Sequence, residues 1–337
     1  MKEKYDADFV LALYIHQLPN DKYELLYRLS STDPEEVLWS ESYEIDNTIA
    51  VNKQYTVLAK ITATIADLQQ GIVLIHWSRK LLENKENIPQ HYQALVYYRH
   101  YSDYLNRAAF AEGVEVTKQA LTRNPDDVLA NIIYSDYCRR EYVYNYGVIE
   151  SPLVSGKKCV ETAVGLKADS HEAHFAMGQI LFCLKEWDNC IHAFNKARSI
   201  SKYHAAIEFG TGFHIALIGD WDEGLKLINK AMALSSSYPT WYHLVPFLNL
   251  YRQEMFVEGL FEAKKIVSKS LLHGPLARCI SYAQLGEKEK EKAQIELDEV
   301  IKRYPLFMTD GKQMLTKFFG NEELTEKVWV GVLKAKS

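Results

Sequence analysis

The first part of the chain has two apolar patterns that are typical of β-strands, a continuous run and an alternation with polar residues. Residues 9–15 form a continuous apolar run, and residues 22–29 largely alternate polar and apolar side chains, with the period of two that a half-buried strand requires. Residues 36–44 have the same character, and an apolar face then recurs at helical spacing over residues 49–69. The pattern predicts three strands followed by one helix, which together form a thin α+β unit.

From about residue 86 the alternation gives way to pairs of amphipathic helices. A 34-residue step returns in register here: Gly178 is followed by Gly212, and Trp187 by Trp221. A fixed period of this length is typical of stacked helical hairpins, none of which can bury its apolar face alone. We predict six hairpins, with an insertion after Tyr142 that breaks the step in the second one. Their expected ranges are 89–124, 126–169, 170–204, 205–238, 239–270 and 271–305.

Residues 174–200 (HFAMGQILFCLKEWDNCIHAFNKARSI) combine small residues at the helix crossing with a tryptophan at the turn. This segment resembles the tetratricopeptide repeat (TPR), and the resemblance extends less closely over residues 89–305. It implies a right-handed TPR α-solenoid that holds a protein or peptide partner. The predicted fold class is therefore mostly α, with the solenoid preceded by a small α+β domain of three strands and a helix.

A second resemblance concerns residues 23–47 (YELLYRLSSTDPEEVLWSESYEIDN), which look like the end of a TolB-amino-terminal-like domain. Residues 241–260 and 318–335 also resemble parts of bacterial signalling proteins that join such a domain to TPR hairpins. In those proteins an upstream winged-helix, kinase or class III nucleotide cyclase domain is usual. The resemblance implies that this chain is a fragment or a short relative, with the first strands of the TolB-like domain missing.

These patterns divide the chain into four expected regions. They are a partial TolB-like domain (1–70), a linker (71–88), the TPR-like hairpins (89–305) and C-terminal capping helices (306–337). A sheet that lacks upstream strands leaves an edge unpaired, so we expect a homodimer through residues 8–44.

Charge and composition narrow the class of partner. The net charge is −5, which provides no basic stripe for nucleic acid or for anionic lipid. The amino terminus has no apolar signal-peptide core, and no apolar run approaches the length of a membrane span, so we expect a cytoplasmic protein. The five cysteines are odd in number and lack metal-type spacing, which favours reduced, buried thiols.

Residues that could support chemistry have simpler interpretations. His171 and His174 share a helical face, but no carboxylate or cysteine completes a metal site, so we interpret them as residues at a helix start. The segment Gly210-Thr211-Gly212 lies mid-helix without the lysine of a phosphate-binding loop. No nucleophile stands in a recognisable catalytic context. We therefore predict no metal, no cofactor and no enzymatic activity.

The groove-facing positions of the first helices carry the candidate binding surface. From the third hairpin to the fifth these positions are aromatic and apolar, with arginines at the margins, as in a groove for a helix or an extended peptide. A clamp for chaperone tails is not favoured, because Tyr98 and Ser102 stand where its first two residues would be. The predicted partner-binding residues are Arg139, Arg140, Phe175, Gln179, Phe182, Phe209, Phe213, Trp241, Leu248, Tyr251 and Arg252.

Two other interpretations of this surface stay open. Neighbouring hairpins or the capping helices can cover it, in which case its aromatic residues belong to the core. Alternatively, the chain is the sensory half of a transcription regulator or nucleotide cyclase that binds a small ligand in the groove. The first hypothesis is a non-enzymatic protein-interaction module of a bacterial signalling protein.

Overall fold

The computed structural model describes residues 7–20, 22–46, 51–67, 71–235, 238–268 and 270–336. Within these ranges, three strands precede sixteen α-helices and four short 3-10 helices. The strands are β1 (Phe9–Leu18), β2 (Lys22–Thr32) and β3 (Glu35–Asp46). The helices that follow them before the first hairpin are α1 (Val51–Ala66) and α2 (Ile72–Glu83).

The remaining helices form six antiparallel pairs and two C-terminal helices. The first three pairs are α3 (Gln93–Tyr104) with α4 (Arg107–Arg123), α5 (Val128–Tyr144) with α6 (Pro152–Leu166), and α7 (His171–Cys183) with α8 (Trp187–Ile200). The next three are α9 (Ala205–Ile218) with α10 (Trp221–Leu234), α11 (Leu244–Arg252) with α12 (Phe256–Lys265), and α13 (His273–Gln284) with α14 (Lys290–Arg303). The chain ends in α15 (Phe307–Phe319) and α16 (Glu322–Lys336). The predicted fold class, a helical solenoid behind a small α+β unit, is confirmed.

The strands form one antiparallel sheet in the order β1-β2-β3. Leu29 lies opposite both Leu11 on β1 and Trp39 on β3, so these three side chains share one face. Helix α2 packs on that face, where His76 meets the ring of Phe9 edge-on at 5.9 Å. The alternation seen in the sequence therefore separates the helix-covered face from the solvent-facing one.

The predicted linker contains a helix. Residues 71–88 were expected to separate two domains, but α2 occupies Ile72–Glu83 and packs Trp77 against a cluster that includes Val96 of the first hairpin. The helix forms because its apolar residues recur every three or four positions. The sheet is thus joined to the solenoid through packed side chains, and the division into separate domains stays a prediction. The ends of the helix expected over 49–69 fall on residues 47–50 and 68–70, outside the described residues.

Small residues set the approach of paired helices, as the 34-residue step predicts. A Cβ atom on Gly178 would lie 2.6 Å from the ring of Phe194, and one on Gly212 would lie 2.6 Å from the carbonyl oxygen of Gly224. These distances are far below a van der Waals contact, so the helices of the third and fourth hairpins approach as closely as they do only because no side chain intervenes.

The insertion in the second hairpin is an ordered turn between α5 and α6. The buried carboxylate of Glu141 accepts hydrogen bonds from the backbone amides of Gly147 (2.7 Å), Val148 (3.0 Å) and Ile149 (3.2 Å). A single side chain thereby satisfies three backbone donors that would otherwise be unpaired near the core.

Pro246 lies in the first turn of helix α11. A proline inside a helix usually kinks it, but Pro246 is the third residue of α11, where a missing amide donor costs little. The preceding turn, Thr240–His243, is a 3-10 helix. The irregularity therefore lies at the start of the helix.

Helices on both sides of the six hairpins in the chain pack against the solenoid. The backbone carbonyl of Leu217 accepts a hydrogen bond from the Asn321 side chain (3.4 Å), and that of Arg252 accepts one from Lys327 (3.1 Å), so α16 lies along the later hairpins. At the other end, Ala59 of α1 packs in a cluster with two residues of the fourth hairpin. Helices that precede and follow the six hairpins thus pack against them.

A glycine exchange tests the helix seam. In Gly224→Ala the new Cβ would lie 2.7 Å from the carbonyl oxygen of Gly212 and 2.7 Å from the Cβ of Ala216. Because backbone cannot swing aside, we expect a loss of about 1–3 kcal/mol in the free energy of unfolding, measured by urea titration with circular dichroism.

The matched control is Gly165→Ala. Gly165 is exposed near the end of α6, and a Cβ atom there would meet nothing within 4 Å. This variant should be stabilised by roughly 0.5 kcal/mol through helix propensity alone. Equal unfolding midpoints for the two variants would contradict the close approach.

Candidate functional site

The concave side of the solenoid encloses one large cavity, which we call the central cavity. Its volume is about 620 Å³, and its walls come from the first helices of the first four hairpins, α3, α5, α7 and α9. One side is closed by Phe318 of α15 and by residues 238–242, 244, 267, 268, 270, 271 and 273 of the later hairpins. Asp67, just after α1, also lines it. The cavity is therefore bordered by residues that precede and follow the hairpins in the chain, as well as by the hairpins themselves.

A charged cluster on one turn of α5 forms the polar part of the wall. The carboxylate of Asp136 accepts hydrogen bonds from Arg139 (2.9 Å from Nε and 2.6 Å from Nη2) and from Nε of Arg140. The hydroxyl of Tyr98 also donates to it, at 2.9 Å. The guanidinium of Arg140 lies over the ring of Tyr101, 5.2 Å from its centroid. We call Asp136, Arg139 and Arg140 the arginine cluster.

The arginine cluster carries an excess positive charge. Burial alone would raise the pKa of Asp136, but the guanidinium groups of Arg139 and Arg140 hold it well below its usual range. Asp136 is therefore ionised, and one carboxylate balances two cations. Among the described residues, the terminal nitrogens of Arg140 have no hydrogen-bond acceptor. Half-buried donors of this kind favour an anionic group in the cavity.

Aromatic side chains form the opposite wall. Phe209 stacks on Tyr242 with ring centroids 3.7 Å apart and meets Trp241 edge-on at 4.5 Å. The ring of Phe175 covers Gly210, where an added Cβ would lie 2.2 Å from it. The absence of a side chain at residue 210 thus allows the tip of this ring to approach α9 closely.

Two buried histidines line the same cavity in their neutral form. His273 is 6% exposed, and its ring centroid lies 4.6 Å from that of Phe318. Burial lowers the pKa of His273 to about 4 and that of His214 to about 3. Nδ1 of His214 lies 2.6 Å from the carbonyl oxygen of Gly210, whereas Nε2 of His273 has no partner among the described residues.

Most of the predicted partner-binding residues meet at this cavity. Phe209 and Phe213 are only 1% and 8% exposed, so they belong to the wall rather than projecting from it. Trp241 and Phe175 are less buried. The predicted residues that line the central cavity are Arg139, Arg140, Phe175, Gln179, Phe209, Phe213 and Trp241.

The other four predicted residues lie elsewhere, because the C-terminal helices cover that part of the concave face. Phe182 packs on His214 at 4.7 Å, beneath Gly320. Tyr251 donates to the Lys327 carbonyl oxygen (3.4 Å). Leu248 is fully buried in the main core, and Arg252 lies over the Trp221 indole at 4.6 Å. The accessible part of the concave face is thus shorter than the groove that the sequence predicts.

Several wall residues had no signal in the sequence. His273, Tyr242 and Phe318 come from the last two hairpins and from α15, and the curvature of the solenoid brings them to the cavity. Periodicity identifies the inward face of each helix, but it does not say which distant helix lies across from it. Tyr98 differs from these three residues, because the sequence already places it at a groove-facing position of the first hairpin.

No metal site is formed in the described part of the chain, where no three side chains of His, Cys, Asp or Glu converge suitably. His171 lies 3.1 Å from the carboxylate of Glu172, and Nε2 of His174 lies 3.0 Å from the Ala168 carbonyl oxygen. None of the helices described is both long and apolar enough to cross a bilayer.

Comparison with known proteins gives distant structural likenesses only. No family model and no curated protein matches the sequence. The chain is similar to the Pseudomonas aeruginosa PilF structure, with a TM-score of 0.43 and 12% identity over 68% of this chain and 98% of that one. It is also similar to PilW, a type IV pilus biogenesis factor (TM-score 0.42, 16% identity, 63% and 94% covered). A third is YrrB, described as a TPR protein with an unusual peptide-binding site (TM-score 0.34, 17% identity, 58% and 95% covered).

The buried imidazole of His273 predicts a pH dependence of stability. Its pKa is about 4 in the folded chain against 6.5 when unperturbed, so the unfolded chain binds a proton in that interval and the folded chain does not. The resulting stability is present above pH 6.5 and is lost as the pH falls toward 4. Between pH 7 and pH 5 we expect the wild type to lose roughly 2 kcal/mol more than His273→Gln, by urea unfolding at each pH. Parallel pH profiles for the two proteins would refute this.

Proposed function

We propose that this protein is a non-enzymatic interaction module that holds a short segment of a partner protein in the central cavity. The observation that carries the proposal is the convergence of aromatic residues from successive hairpins and a half-buried cationic cluster on one cavity of about 620 Å³. Cavities of about 300–1,000 Å³ bind small molecules, and a peptide segment of a few residues is of similar size. A whole helix, about 10–12 Å across with its side chains, is a poorer fit than an extended segment.

The two walls suggest what such a segment contains. Trp241 and Phe175 offer partly exposed rings, and aromatic anchors of this kind dominate binding energy where they meet a partner. The two terminal nitrogens of Arg140 can bind a carboxylate through paired hydrogen bonds. The preferred segment therefore combines an apolar side chain with an acidic group.

The cellular setting is a finer part of the proposal. It rests on the resemblance of residues 23–47 to a TolB-amino-terminal-like domain, which favours a cytoplasmic signalling protein of a bacterium. In that setting residues 1–70 form a partial TolB-like domain, and residues 89–305 and 306–337 form the solenoid and its caps. Upstream sequence that encodes a winged helix or a cyclase would support this setting.

A small-molecule sensor is the second candidate. The volume of the central cavity and the neutral His273, whose Nε2 has no partner among the described residues, favour a compact ligand with a hydrogen-bonding group. A sensor of this kind would bind such a ligand and ignore peptides, which the following experiment distinguishes.

Selection from a displayed library of random short peptides tests the first candidate. We expect the wild type to enrich sequences with an aromatic or aliphatic residue next to Asp or Glu. Gln179→Trp places an indole in the cavity and should lower the affinity of a selected peptide by at least about tenfold, equal to 1.4 kcal/mol, in a fluorescence titration. Arg140→Gln should remove the preference for the acidic residue.

Gln119→Trp is the matched control, since Gln119 is exposed on α4 and does not line the central cavity. It should bind the selected peptide as the wild type does. A library that yields no enriched peptide, or an affinity that Gln179→Trp leaves unchanged, would contradict peptide capture in this cavity.

A further inference from the structure

The two edges of the small sheet differ in charge. Edge strand β1 (FVLALYIHQL) contains no Asp, Glu, Lys or Arg, whereas edge strand β3 (EEVLWSESYEID) contains five acidic residues and no basic one. Natural proteins place charges on edge strands to prevent pairing with another chain. By this criterion β3 is protected and β1 is open to pairing.

An apolar row on β1 is left uncovered. Leu11, Leu13 and Ile15 point to the same face as Phe9, on which α2 packs. Their exposure rises along the strand away from Phe9, being 44%, 47% and 62%. Among the described residues, no strand lies beyond β1. The strand therefore offers unpaired backbone groups beside an apolar row.

We infer that β1 pairs with β1 of a second copy of this chain, giving a continuous six-stranded antiparallel sheet across a two-fold axis. A second copy suits this edge because β1 brings no charge that would repel its equivalent, whereas two copies of β3 would oppose their carboxylates. The inference is independent of the ligand that the central cavity binds.

Symmetry restricts the register. In an antiparallel pair, directly opposite residues point to the same face, and a two-fold axis between two equal strands places a residue opposite its own equivalent. The apolar rows of the two copies therefore meet on one face. Centring the pair on Leu13 sets Leu13 against Leu13 and Leu11 against Ile15, which brings the whole exposed row into contact.

The oligomeric state of the purified full chain tests the inference. Light scattering over a wide concentration range should show a dimer that dissociates on dilution. Leu13→Lys should raise the dissociation constant at least about tenfold, because two ammonium groups then meet at the axis. Val37→Lys, which adds the same charge to an exposed apolar position of β3, should leave the dimer unchanged.

Cysteine cross-linking tests the register. Opposite Cβ atoms in such a pair lie about 4.5–5.5 Å apart, close to the span of a disulfide, so Leu13→Cys should form a covalent dimer under mild oxidation. Leu11→Cys faces residue 15 of the other copy and should not. Circular dichroism should be unchanged in all four variants, since every altered side chain is exposed.

Three outcomes would overturn the inference. A strict monomer at all concentrations would leave β1 to a strand of a different protein. A dimer that Leu13→Lys does not weaken would place the interface elsewhere, and equal cross-linking of both cysteine variants would exclude pairing centred on Leu13.

Discussion

The close contact between paired helices is the constraint on which the architecture depends. At Gly212 and Gly224 the backbones of α9 and α10 touch, because a Cβ on either glycine would lie within 2.7 Å of the other's carbonyl oxygen. At Gly178 the ring of Phe194 takes the place that a side chain would occupy. One face of each of these first helices is therefore packed against the second helix of its hairpin. Residues on the other side of the first helix face the concave side. The central cavity is a consequence of this seam.

Packing of α1 and of the C-terminal helices against the hairpins decides how much of the concave side is available. Helix α16 packs over Tyr251 and Arg252 at the end of α11, whereas α15 contributes only Phe318 to the cavity wall. At the amino-terminal end, Asp67 lies 3.6 Å from His204, and both residues border the cavity. The open part therefore lies over the first four hairpins, where the arginine cluster is found.

The sequence predicts those features that depend on local spacing. The strand alternation at 22–29 and the glycine step from 178 to 212 both give the observed elements, because each depends on residues close together in the chain. Helix α2 lies within the predicted linker, 71–88. Its apolar residues have helical spacing, but the change from strands to hairpins at this point favours a domain boundary. The covering of Tyr251 had no local signal: its hydrogen-bond partner Lys327 lies 76 residues away. Contacts between residues far apart in the chain thus decide which apolar positions on the concave side are covered and which stay accessible.

The central cavity is polar on one side and aromatic on the other. Comparing positions that are 34 residues apart shows how this difference arises. Positions 175 and 179 of the third hairpin correspond by the 34-residue step to Phe209 and Phe213 of the fourth, so Gln179 is replaced there by an aromatic residue. One hairpin earlier, α5 presents the arginine cluster. From α5 through α7 to α9, the first helices of three successive hairpins, these positions change from cationic through amide to aromatic. A bound segment with one acidic and one apolar end has a single favourable orientation in such a cavity, because reversal would bury its carboxylate against aromatic rings without a partner. The order of hairpins along the chain therefore gives the proposed site its direction.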